Sequence, residues 1–166
     1  MLPRIDVTED DSGLTKMTVR QALDQLMLLA PDFQWREMRG VAVIRPVSAW
    51  MDPADALNGR LAPFQVAEAT VTQTLATILR WPSTQRLPGP SLRFDVPPFA
   101  MAFNGGTTVE ALNELVRARG STGWSARTWP GADGTPWLSL TIRTFNFRHE
   151  GTISMGAPKS RLLATR

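Results

Sequence analysis

The chain has 166 residues, 43% apolar and 20% charged, with one His, no Cys and no Tyr. That length suits one compact domain or two very small ones, and the composition excludes both wholesale disorder and a disulfide scaffold. The pI of about 10.5 suggests a nucleic-acid or membrane binder, yet the whole net charge of +3 lies in residues 148–166, where Arg148, Lys159, Arg161 and Arg166 face Glu150 alone. Residues 1–147 balance 14 basic groups against 14 acidic ones, so the body lacks the net positive field that steers nucleic acid.

The opening Met1-Leu2-Pro3-Arg4-Ile5-Asp6 has no apolar core of the kind a signal peptide carries, and the longest aliphatic run, Leu26 to Ala30, is far short of a bilayer span. No membrane span is expected. The absence of Cys suits an oxidising compartment and also many cytosolic proteins.

The informative feature is a segment that recurs three times without a gap: Thr18-Val-Arg-Gln-Ala-Leu-Asp-Gln-Leu26, Thr70-Val-Thr-Gln-Thr-Leu-Ala-Thr-Ile78 and Thr107-Thr-Val-Glu-Ala-Leu-Asn-Glu-Leu115. Each starts with Thr and has Gln or Glu three residues later, the capping-box pattern, in which the hydroxyl caps the N3 amide and the longer side chain reaches back. Each also places apolar residues five and eight positions after the Thr, on one helical face. Pro31, Pro82 and Gly120 mark the ends. The spacing predicts amphipathic helices over about 18–30, 70–81 and 107–119.

Short segments with apolar residues at alternate positions precede the helices: Arg4–Val7, Pro63–Val66 and Phe99–Phe103. They read as strands with one buried face. After the first helix, Asp32–Met38 and Val41–Arg45 flank Arg39-Gly40 and read as a hairpin. After the third, Gly123–Trp129 and Trp137–Arg143 flank a longer loop from Pro130 to Pro136 containing Asp133-Gly134. The middle copy is degenerate, a Pro-rich connection from Pro82 to Pro90 leading into one strand, Ser91–Val96. The predicted order is β-α-β-β, β-α-β, β-α-β-β. The repeats start 52 and 37 residues apart, which is no fixed solenoid period.

The expected fold is therefore α+β: tandem small units with three capped helices on small mixed sheets. The expected organisation is a β-α-β-β unit at 1–46, a linker at 47–60 containing Trp50-Met51-Asp52-Pro53 and Asn58-Gly59, a β-α-β plus β-α-β-β unit at 61–147, and a basic flexible tail at 148–166.

The strand, the helix reading Thr-Val-x-x-Ala-Leu-x-x-Leu, the hairpin Phe33-Gln-Trp-Arg-Glu-Met-Arg-Gly-Val-Ala-Val-Ile44 and the closing Arg45-Pro46 together resemble the secretin and TonB short N-terminal domain and the related N-terminal modules of secretins. The likeness covers about residues 4–46 well and 63–145 loosely. It implies a bacterial envelope module that works through protein–protein contacts and carries no cofactor, metal or catalytic residue. The sequence contains no barrel, plug or secretin channel segment. The expected location is periplasmic or envelope-associated if a signal has been removed, and cytoplasmic otherwise. The expected partner is a component of an envelope complex or a second copy of the chain.

The residues themselves select no reaction. His149 is the only histidine, and base catalysis needs fixed geometry that a tail does not supply. With no Cys and one His the chain cannot build an ordinary zinc site. Lys16 and Lys159, the only lysines, sit beside a helix cap and in the tail, not in the buried setting that Schiff-base chemistry requires. Asp52, Asp95 and Glu110 leave a small carboxylate-dependent hydrolase as one alternative, although Glu110 holds the capping position. Asn104-Gly105-Gly106-Thr107-Thr108 is a glycine-rich turn into a helix, which can hold phosphate but lacks the lysine of a P-loop. Arg117-Ala-Arg119-Gly120-Ser-Thr-Gly123 contains a GxxG, as in a nucleic-acid clamp, so a nucleic-acid-binding domain using Arg117, Arg119 and the tail is a second alternative. Among six tryptophans, Trp35 and Trp124 hold corresponding hairpin positions and are expected in cores. Trp129 and Trp137 bracket the long loop as a cross-strand pair. With Arg127 and Arg143 they form the candidate partner-binding set, since Trp and Arg are enriched among interface anchors, and free strand edges can accept a partner strand.

Overall fold

A computed structural model describes residues 18–80, 97–120, 122–130, 136–146 and 149–158. The chain is α+β and divides into two compact units at Met51/Asp52. The strands expected at Arg4–Val7 and Ser91–Val96 lie outside the described residues, as do Lys16, Asp95 and Lys159.

In the first unit, α1 (Val19–Leu29) is followed by β1 (Phe33–Met38) and β2 (Val41–Pro46). Thr18 and Gln21 form the expected capping box, with the Gln21 amide donating to the Thr18 hydroxyl and the Thr18 amide donating to Gln21 Oε1. β1 and β2 pair antiparallel from Phe33↔Pro46 to Met38↔Val41. The turn takes Arg39 and Gly40 at φ +55° and +78°, the two positive-φ residues that match the right-handed twist of the strands. α1 packs on β1, but it buries none of its residues, and Leu28 stays 81% exposed. A 3₁₀ turn, Val47–Trp50, closes the unit.

The second unit begins in what composition marks as a linker. Residues 56–58 form a 3₁₀ turn capped by Asp55, and Ala56 and Leu57 are buried. Turn-forming Asn and Gly here serve a packed corner, because this turn lies against the third helix. Then come β3 (Arg60–Leu61), β4 (Phe64–Ala69), α2 (Val71–Ile78), β5 (Phe99–Phe103), β6 (Gly106–Thr107) and α3 (Thr108–Arg119). β7 (Thr122–Pro130), β8 (Pro136–Asn146) and β9 (His149–Pro158) complete it.

Every described strand pair is antiparallel: β1–β2, β3–β6, β4–β5, β7–β8 and β8–β9. The sheets are thus not mixed, because the described strands meet through hairpins and returning segments and not through parallel crossovers. A register shift between Val66 and Ala69, with Glu68 at φ +51°, is a β-bulge.

α3 is the centre of this unit. It packs against α2, β5, β7 and the 3₁₀ turn and buries Thr108, Val109, Ala111, Leu112, Asn113 and Leu115. The Thr108 amide and hydroxyl both donate to the Gly59 carbonyl, at 2.9 and 3.1 Å. α1 carries the same repeat motif and, within its own unit, packs on β1 without burying any of its residues. That difference in surroundings leaves one copy buried and the other exposed.

The flexible tail expected at 148–166 is corrected over most of its length. Residues 149–158 form β9, paired with β8 from Asn146↔His149 to Trp137↔Pro158. Ile153, Met155 and Ala157 alternate with small residues, a short period-two signal diluted by Gly151, Gly156 and Pro158. A neighbouring strand supplies what its intrinsic propensity lacks. Residues 159–166 lie outside the described set.

Candidate interaction surface

β8 defines two faces by strict alternation. Leu138, Leu140 and Ile142 are at most 3% exposed, whereas Trp137 and Arg143 on the other face are exposed and Ser139 and Thr141 are half-buried. The β7 register extends both faces: Thr128, Ala126 and Trp124 pair with Leu138, Leu140 and Ile142, while Arg127, Ser125 and Gly123 pair with Ser139, Thr141 and Arg143. The outward face of the two strands therefore carries Trp137 at one end, Arg143 towards the other, Arg127 between them, and a floor of Ser, Thr and Gly.

Three members of the candidate set, Trp137, Arg127 and Arg143, share this outward face and are exposed. Trp129 is the register partner of Trp137. Neither Arg127 nor Arg143 makes an ion pair among the described residues. β7 pairs with β8 alone, so its other edge carries no strand among the described residues.

The inward face reveals a second layer of the repeat. Trp124 Nε1 donates to Asn113 Oδ1 at 2.9 Å, and in the first unit Trp35 Nε1 donates to Asp24 Oδ1 at 2.8 Å. Both acceptors stand six residues after the capping Thr, and both indoles follow eleven residues later. The helix therefore fixes its own hairpin through one side-chain bond. In the middle copy this position is Ala76, and the bond has no acceptor. The chemistry of each acceptor follows its burial. Asn113 is fully buried, where a carboxylate would be heavily penalised; Asp24 is exposed, with Arg20 stacked 5.1 Å above the Trp35 ring.

Trp50, placed by composition in a linker, sits under two guanidiniums, with Arg36 at 4.4 Å and Arg45 at 5.1 Å from the ring centroid. Arg45 is buried, and its Nη2 donates to the Ala49 carbonyl at 2.9 Å. Gln34↔Arg45 and Arg36↔Val43 are adjacent on one hairpin face, opposite the face that carries Trp35. Alternation in the two strands contained this signal, but the arrival of Trp50 over it depends on the turn that follows.

The other sequence candidates have local duties. The Asp52 carboxylate accepts from the Ala54 amide at 2.9 Å. Glu110 closes the α3 capping box and accepts from the Thr107 amide at 2.7 Å. Its own carboxylate thus occupies the Thr107 amide and hydroxyl, where the Gly105-Gly106 turn enters the helix. Arg117 is bound to Glu114 at 3.1 Å, Arg119 Nε is buried without a hydrogen-bond partner among the described residues, and Gly120, at φ +63°, ends the helix by donating to the Val116 carbonyl. The GxxG segment is built here as a helix C-terminus leading into β7. His149 enters β9 opposite Asn146. No group of three or more His, Cys, Asp or Glu arranged to hold a metal occurs among the described residues.

No protein-family model, curated protein or solved structure matches the chain. No helix among the described residues is long and apolar enough to cross a membrane.

Proposed function

We propose that this chain is a non-enzymatic protein–protein interaction module of the bacterial envelope, similar in role to secretin and TonB short N-terminal domains, and that it binds through the edge and outward face of the β7–β8–β9 sheet. The observation that supports this reading is the contrast across β8. Its inward residues are sealed, while its outward face leaves Trp137 37% exposed at one end, with the exposed Arg127 and Arg143 further along the same face, beside a β7 edge that no described strand occupies. Edge addition draws affinity from main-chain hydrogen bonds and selectivity from alternate side chains, and Trp and Arg are enriched among interface anchors.

The test is site-specific photocrosslinking of the full chain in its native host. A photoreactive residue replaces Ser125 or Thr128 on β7, both exposed, or Gln73 on the exposed surface of α2 as a control. The expected result is one discrete protein adduct from the β7 positions, recovered with the envelope fraction and absent at Gln73. Adducts that are equal at all three positions, or that consist of nucleic acid, refute the reading.

A further inference from the structure

The outward face also has a charge pattern that narrows the partner. β7 reads Thr-Gly-Trp-Ser-Ala-Arg-Thr-Trp-Pro and β8 reads Pro-Trp-Leu-Ser-Leu-Thr-Ile-Arg-Thr-Phe-Asn, so the two strands carry two arginines and no acid. Arg127 lies on β7 itself, at the register position of Ser139. Arg143 lies one strand further in but pairs with Gly123, and glycine places no side chain between that arginine and the outer edge of β7. An incoming strand therefore meets one guanidinium opposite position 127 and a second across position 123.

Those positions are four residues apart, about 13 Å along a strand. Because side chains alternate, residues four apart on an extended partner project to the same face. Opposite charges placed directly across a strand pair are stabilising, and like charges are not.

We infer that the β7 edge takes an extended acidic segment of a partner protein, with carboxylates at positions i and i+4 set against Arg127 and Arg143. This inference rests on the edge-pairing reading above and specifies its ligand. Between the two arginines, Ser125, Ser139 and Thr141 are small, so the partner residue at i+2 can be small or polar.

The experiment uses the full chain and three acetylated, amidated peptides: Thr-Ile-Glu-Val-Thr-Ile-Glu-Val-Thr, the same with both Glu as Gln, and the same with both Glu as Lys. Hydrogen exchange of the β7 amides reports strand addition, and titration reports affinity. The Glu peptide is expected to slow exchange in β7 and to bind about five- to tenfold more tightly than the Gln peptide, the effect of two exposed ion pairs, with the advantage shrinking as salt rises. In the Arg127→Glu/Arg143→Glu variant the order reverses and the Lys peptide binds best, a rescue that loss of folding cannot imitate. Equal binding of the Glu and Gln peptides overturns the acidic ligand while leaving edge pairing intact. Failure of all three peptides to protect β7 overturns edge pairing itself. An oligothymidylate that displaces the Glu peptide and binds more tightly replaces the protein ligand with nucleic acid and overturns the inference.

Discussion

Replacing Asn113 with Ala tests whether the helix-to-hairpin bond stabilises the second unit. Asn113 is fully buried, and its amide oxygen accepts from Trp124 Nε1 at 2.9 Å. Removing it leaves a part-buried indole N–H without this acceptor, which costs about 1–3 kcal/mol, and the small void left by the amide adds under about 1 kcal/mol. The expected loss is about 1–4 kcal/mol. It is measured by urea denaturation, with native-state exchange of α3 amides localising the effect to this unit. A double-mutant cycle with Trp124→Phe isolates the pair. In the Phe background the stranded donor is gone, so Asn113→Ala becomes much milder and the coupling is about 1–3 kcal/mol. The matched cycle in the first unit, Asp24→Ala with Trp35→Phe, couples by about 0.5 kcal/mol, since water replaces either partner at an exposed site. If the buried cycle couples no more strongly than the exposed one, burial is not what gives this bond its weight, and the account of the repeat fails.

Asn113→Asp places a carboxyl in the same buried position, where desolvation raises its folded pKa above the unfolded value. Its destabilisation is therefore absent in acid and grows as pH rises through the ordinary carboxylate range, which urea midpoints across pH will show. Gly120→Ala costs about 1 kcal/mol, because φ is +63° while its new Cβ meets nothing within 4 Å. Gly106→Ala is expected to cost more, since φ is +146° and the added Cβ also runs into the Glu110 carboxylate; thermal melts of the two variants rank them. Thr107→Ala removes a cap whose hydroxyl accepts from the Glu110 amide and loses about 1 kcal/mol. Trp137→Ala leaves the urea midpoint nearly unchanged and abolishes the photocrosslink from β7, separating its role in binding from any role in the core.

The three helices were legible because a capping box is local. Thr and Gln or Glu three residues apart make the same pair of bonds whatever surrounds them, and all three boxes form. The two hairpins were legible for a related reason, since alternation sets which side chains share a face and the turn sets the register. The Trp35 and Trp124 correspondence was also visible, but their acceptors were hidden. Asp24 and Asn113 read as ordinary surface polar residues of a helix until the hairpin folds back on them.

β9 shows the opposite limit. Its alternation is short, its glycines weaken it, and it becomes a strand because β8 offers a complete ladder of partners. The buried turn at 56–58 is similar, with a loop-like composition that packing against α3 makes part of a core. The sequence by itself determined where helices begin, which residues alternate and where the charge lies, because those properties act over three or four residues. Only the tertiary structure decided which copy of the repeat is buried, which strand recruits the C-terminal segment and which face of the β7–β8 hairpin is sealed. Burial and strand pairing depend on neighbours distant in the chain, and no local pattern encodes their presence.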